Sequence, residues 1–260
     1  MKSIFAAAAA AIILTAGCSA DETTQQPEVN VFIAASLANA MNEIADNYKN
    51  DGGSADILYN ADSSGTLMTQ IQEGAECDIF FSAAEKQMNE LDSDGYIKSE
   101  TITPLLENNV VLIKPAGTQT PVTGFDNITE AKSIALAGED VPVGSYAREI
   151  FRTLGITDDV MNMTINECSN VTAVLTAVAE GANEIGIVYS TDAASMSDKV
   201  EIIASADPGL MSTPVVYPVA LTLNEKADEK QQAAAEDFYN YLKSDKAEAV
   251  FEKYGFDMNK

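Results

Sequence analysis

The chain has 260 residues, enough for one or two domains with sizeable cores, and its 46% hydrophobic content marks an ordinary globular protein. Forty acidic against 15 basic residues give a net charge of −25, which argues against nucleic acid or an anionic membrane surface as a partner. There is no histidine, so imidazole proton shuttling near neutral pH and imidazole metal sites are excluded.

Residues 1–17 read as an export signal. Lys2 precedes a short apolar run that ends in Leu14-Thr-Ala-Gly-Cys18. That ending resembles a bacterial lipobox, which implies cleavage before Cys18 and lipidation of its thiol; a plain signal peptide is the alternative. Cleavage removes one lysine and no acid, taking the net charge from −25 to −26. Residues 18–28 form a polar, aperiodic tether. Apolar runs then predict strands at 29–35, 55–59, 78–83, 108–113, 133–137, 185–189, 200–204 and 215–223. Helical spacing predicts helices at 37–49, 66–73, 85–92, 145–154, 171–180, 191–195, 226–243 and 245–254. Alternation of this kind predicts the α/β class with parallel sheets. The strands 108–113 and 215–223 are expected to carry the chain between two lobes. Lobe I is then discontinuous, 29–108 and 216–260, and lobe II is 109–215. Cys77 and Cys168 sit in no framework spacing and are expected to be buried free thiols.

Four turns share one pattern: a strand, small or hydroxyl residues, then a helix start. Ser36 follows the first strand at an expected N-cap. Asp62-Ser63-Ser64-Gly65-Thr66 opens the second helix, Val141-Pro142-Val143-Gly144-Ser145 a third, and Glu167-Cys168-Ser169-Asn170-Val171 a fourth. A helix start presents unpaired N–H groups and the positive end of its dipole, an arrangement suited to anions. Ordinary capping is the plain alternative for each turn taken alone, and Tyr189 alone reads as a half-buried sheet residue. Asp62 is expected to face solvent, as is Arg148 within its helix.

Ala34-Ala-Ser-Leu-Ala-Asn-Ala40, Ser64-Gly-Thr-Leu67, Asp78-Ile-Phe-Phe-Ser-Ala83, Val141-Pro-Val-Gly-Ser-Tyr-Ala147, Gly186-Ile-Val-Tyr189 and Tyr217-Pro-Val-Ala220 occur in order over most of 29–257. In this succession the chain resembles the molybdate-binding proteins of ABC importers. The resemblance implies a two-lobed type II periplasmic-binding-protein fold, each lobe a mixed or parallel sheet flanked by helices, with the ligand cleft between. It implies that hydroxyls and amides at Ser36, Ser64, Val143, Val171 and Tyr189 hold a molybdate or tungstate oxyanion. It also implies delivery to ABC permease subunits and a monomer with no resident cofactor and no direct cation site; the lipobox-like ending adds a lipid anchor at Cys18, so a periplasmic or cell-surface protein is expected. Val143 stands where the family usually has a smaller residue.

Molybdate and tungstate are fully deprotonated near neutral pH, so a site of donors alone suits them. Hydrogen phosphate carries a proton that such a site leaves unsatisfied, at a cost of roughly 1–3 kcal/mol. Sulfate is all-acceptor and can be excluded only by size. The rival readings are a binding protein for another oxyanion such as sulfate or phosphate, a surface adhesive lipoprotein, and an enzyme. For the last, the sequence offers no metal-ligand cluster, no G-x-S-x-G elbow and no phosphate-loop lysine motif.

Overall fold

The computed structural model describes residues 26–259, so the signal segment and Cys18 lie outside the described residues. The chain first builds β1 (Glu28–Ala34), α1 (Ala38–Asn50), β2 (Asp56–Asp62), α2 (Ser64–Gln72), β3 (Ile79–Phe81), α3 (Glu85–Ser93) and β4 (Thr103–Asn108). A second series follows: β5 (Val110–Pro115), β6 (Ile134–Ala137), α4 (Pro142–Leu154), α5 (Thr157–Met161), β7 (Ile165–Cys168), α6 (Val171–Ala179), β8 (Ile185–Tyr189), α7 (Ser190–Ser195) and β9 (Val200–Ser205). It ends with β10 (Val215–Leu221), α8 (Glu229–Leu242), α9 (Asp245–Lys253) and β11 (Asp257–Met258).

Two sheets result, a six-stranded one in the order β11-β4-β10-β3-β1-β2 and a five-stranded one in the order β7-β6-β8-β5-β9. Pairing is parallel where helices connect the strands, among β1, β2 and β3 and among β6, β7 and β8. It is antiparallel at β10 and β5, so the sheets are mixed rather than purely parallel. Asn109 alone separates β4 from β5, which lie in different sheets. The predicted strand 108–113 therefore straddled two strands, one in each sheet. Strand β4 escaped prediction because Pro104 breaks its pattern; the proline is accommodated opposite Pro218, where the β10 register shifts.

Both faces of the first sheet are covered. Val31 and Ile33 on β1 face one core with Leu37, Met41 and Ile44 of the first helix face, while Phe32 faces a second core with Leu67, Ile71, Phe80 and Met88. The alternation is that of a buried strand, and each fully buried side chain of this size contributes about 1.5–3 kcal/mol. Cys77 and Cys168 are free and buried, and burial raises both thiols above their ordinary range, so neither is poised as a thiolate.

This arrangement aims the carboxyl ends of β1, β2, β6, β7 and β8 at the gap between the sheets, the usual place for a ligand of an open α/β sheet.

Candidate functional site

A small, tight pocket lies in that gap, lined by Ser36, Asp62, Ser64, Val143, Val171 and Tyr189 among others. All five residues expected to hold the oxyanion therefore meet there, two from the first lobe and three from the second.

Each helix start delivers its residue differently. At α4, Pro142 occupies the first helical position and Val141 precedes it without a side-chain cap. Proline has no N–H, so Val143 carries the first free amide of that helix. The helix begins three residues earlier than the spacing at 145–154 suggested, which places Val143 and Gly144 inside its first turn. At α6, Asn170 is the N-cap and its side chain accepts from the Ala173 amide at 2.9 Å, leaving the Val171 amide free at the helix start. At α2 the cap is Ser63, whose hydroxyl accepts from Thr66 N–H at 3.0 Å. Ser64 is fully buried, and its Oγ accepts from the Ala83 amide at 3.0 Å, so its own proton remains to be donated.

Ser36 corrects an expectation. It is not an N-cap: Ala35–Leu37 forms a 3-10 turn that runs straight into α1, with helical backbone at Leu37. Its hydroxyl is instead 3.0 Å from the Tyr217 hydroxyl. Because the turn continues into helix, a side chain at Ser36 cannot fold back onto a later amide as a cap does.

Tyr189 closes β8 and is 1% exposed. Its hydroxyl is one of two buried side-chain polar atoms without a hydrogen-bond partner among the described residues. Burial, reinforced by the neighbouring Tyr217 and Tyr146 phenols and the Asp192 carboxyl, holds its pKa well above the ordinary phenol value. The group stays protonated and has a proton to donate to an acceptor.

Two charged residues are placed otherwise than expected. Arg148 does not point at solvent: its side chain is 13% exposed, and Nη1 donates to the carbonyls of Ala137 at 2.8 Å and Gly144 at 2.9 Å. It braces the end of β6 against the first turn of α4, with Glu167 3.7 Å from Nη2. The long side chain reaches back toward the helix start, where carbonyls offer more than water does. Asp62 is likewise no solvent-facing cap. Its Oδ1 accepts from Ser63 N–H at 2.7 Å and, across the cleft, from Asn170 Nδ2 at 3.2 Å. Neither position could be read from spacing, because both depend on partners distant in sequence.

Beside the pocket, Asp192 is buried in the first turn of α7 and accepts from the Tyr189 amide at 3.2 Å. Burial pushes its carboxyl from the ordinary 3.8 up to about 7, partly offset by that N–H. The folded state thus holds this proton more tightly than the unfolded state. Its contribution is fully present below pH 3.8 and is lost as pH rises through about 7. Asp192→Asn keeps an oxygen for the Tyr189 amide and removes the titration. Its melting temperature is expected to rise relative to the unsubstituted protein as pH increases across this window; a constant difference would contradict the assignment.

Comparison with known proteins decides the family. The family model for bacterial extracellular solute-binding proteins matches residues 29–257. The chain belongs to that family. It is 40% identical to YvgL of Bacillus subtilis (strain 168), named as an ABC transporter substrate-binding lipoprotein, over 98% of this chain and 97% of that one. It is 33% identical to the molybdate-binding protein ModA of Escherichia coli (strain K12), over 97% of this chain and 96% of that one. The substrate-binding domain of a molybdenum ABC transporter from Clostridium difficile superimposes with a TM-score of 0.66 at 33% identity, covering 90% of this chain and 99% of that one. These relatives are binding proteins, in line with the expectation that the chain is not an enzyme, and the two-lobed fold is the one expected.

Proposed function

We propose that this solute-binding protein captures molybdate, and tungstate with it, outside the cytoplasm and delivers the anion to an ABC permease. The observation that carries the reading is the meeting of Ser36, Ser64, Val143, Val171 and Tyr189 in one pocket, with the Tyr189 hydroxyl fully buried there. The names of the E. coli and C. difficile relatives support the same cargo. The protein works as a monomer with no resident cofactor, and the oxyanion is its cargo.

Hydroxyls and helix-start amides from both lobes supply donors alone, which suits a tetrahedral dianion. About seven hydrogen bonds to charged oxygens, at roughly 1.5–3 kcal/mol each before ordering costs, suffice for tight binding without a cationic side chain at the anion. The lipobox-like Leu14-Thr-Ala-Gly-Cys18 and the lipoprotein relative in B. subtilis support anchoring through Cys18, which lies outside the described residues.

Calorimetry of the mature protein against molybdate, tungstate, sulfate and phosphate tests the reading. Molybdate and tungstate are expected to bind with Kd of about 1 μM or tighter, and sulfate and phosphate at least about 100-fold more weakly. A second reading, hydrogen phosphate, draws on the Asp62 carboxylate in the pocket wall as an acceptor for its proton. Preference for phosphate would establish that reading instead, and indifference to all four anions would defeat both.

A further inference from the structure

We infer that Tyr217 is a specificity-determining residue: it passes a directed hydrogen bond from Asn108 to Ser36 and so locks the Ser36 hydroxyl as a donor toward the anion. The inference rests on the oxyanion reading of the pocket and concerns which way its protons point.

The direction of the bonds at Asn108 follows from one group that has no choice. The backbone N–H of Asn109 can only donate, and it donates to Asn108 Oδ1 at 2.8 Å. This identifies the oxygen of the Asn108 amide, and the Ser190 hydroxyl donates to the same atom at 2.9 Å. The other end of the amide is therefore NH₂, which donates to Thr191 Oγ1 at 2.9 Å and to the Tyr217 hydroxyl oxygen at 3.3 Å. With an N–H directed at one lone pair of its oxygen, the Tyr217 hydroxyl keeps its own proton to place; either oxygen of the Ser36–Tyr217 pair could donate, and the relay assigns the proton to Ser36 Oγ, 3.0 Å away. Ser36 then accepts from Tyr217, and its proton is left for the pocket.

Ser64 reaches the same state by a shorter route, since the Ala83 amide donates to its Oγ. Both first-lobe serines thus have an acceptor site occupied from behind. Tyr217 is fully buried, and its ring stacks edge-on with Tyr189 and Phe256 at 5.6 and 5.4 Å between centroids. Tyr217→Phe keeps those ring contacts, and the Asn108 amide keeps Thr191. The substitution removes the relay and little else. Ser36 is then free to rotate and accept, so an anion that carries a proton is no longer refused at this corner.

Selenate and arsenate probe this directly. They are similar tetrahedral anions, but at mildly alkaline pH selenate has no proton and arsenate keeps one. Each is titrated as a competitor of bound molybdate, on the mature protein and on Tyr217→Phe. Selenate is expected to compete better than arsenate in the unsubstituted protein, and the gap to narrow about tenfold in the variant, the size of one hydrogen-bond preference. Asn108→Asp is the second variant. Its carboxylate still accepts from Asn109 and Ser190 but takes the Tyr217 proton, which reverses the relay, and the same narrowing is expected. An unchanged selenate-to-arsenate ratio in folded variants that still bind molybdate overturns the relay and leaves the proposed cargo standing. Failure of the unsubstituted protein to bind molybdate overturns the cargo itself.

Discussion

Gly65→Ala is expected to weaken molybdate binding by about 100-fold or more while leaving the ligand-free protein as stable as before, or more so. Gly65 lies in the first turn of α2, and a Cβ there would stand 2.3 Å from the carbonyl oxygen of Asp140, which belongs to the other lobe. A backbone oxygen cannot swing aside as a side-chain tip can. The Asp140 carbonyl is also the acceptor for Gln87 Nε2 at 3.4 Å, so the two lobes meet closely along this edge. Within its own helix the methyl group is welcome, since alanine is favoured over glycine by about 1 kcal/mol. The substitution therefore opposes lobe closure without opposing folding. Apparent affinity scales with the fraction of molecules able to close. Calorimetry paired with thermal melts, with and without molybdate, separates the two effects; native affinity in the variant would show that the ligand is held without this approach. At Gly144 the obstruction has a different character, because a Cβ there would meet Gly138 and Ala137 carbonyl oxygens at 2.1 and 2.4 Å within the same lobe.

Asn170→Asp is expected to weaken binding by about 10- to 100-fold, the range for like charges brought together at a partly solvated contact. Asparagine and aspartate cap a helix equally well, so α6 keeps its bond from the Ala173 amide. What changes is the far side of the cleft. The Asn170 amide now donates to Asp62, and the substitution sets two carboxylates against each other beside the anion pocket. The exchange Asp62→Asn with Asn170→Asp restores one amide and one carboxylate in the reverse order, at the original total charge. It should recover most of the loss, and calorimetry on the four proteins of this cycle measures the coupling. If the exchanged protein binds as poorly as Asn170→Asp alone, the bond across the cleft does not hold the lobes together.

Much of this molecule is legible before any coordinates. Strand β8 is bounded correctly at 185–189 because a short apolar run ends there at a tyrosine, and the alternation of strands with amphipathic helices announces the class. The four turns stood out because helix starts have recognisable chemistry. Assigning them to one anion, however, required the family resemblance, since caps are common and each turn is ambiguous alone. The errors have a shared cause. Asp62 resembled a cap, Arg148 resembled a surface residue, and Ser36 resembled the start of a regular helix. In each case the deciding partner lies elsewhere in the chain: Asn170 for the first, the Ala137 carbonyl for the second, Tyr217 for the third. Local pattern reports where a helix begins. It does not report which oxygen or proton arrives from elsewhere in the chain. Tyr217 itself was visible within Tyr217-Pro-Val-Ala220, with nothing nearby to indicate what its hydroxyl does.

The join between β4 and β5 has a mechanical consequence. One residue, Asn109, links the two sheets on the outward passage, whereas nine residues separate β9 from β10 on the return. The first passage is a pivot and the second is slack. Any swing of one half against the other must be taken up in the backbone torsions around Asn109, whose N–H is bonded to the side chain of Asn108. A rotation at that joint would turn the same Asn108 amide that reaches Tyr217 behind the pocket.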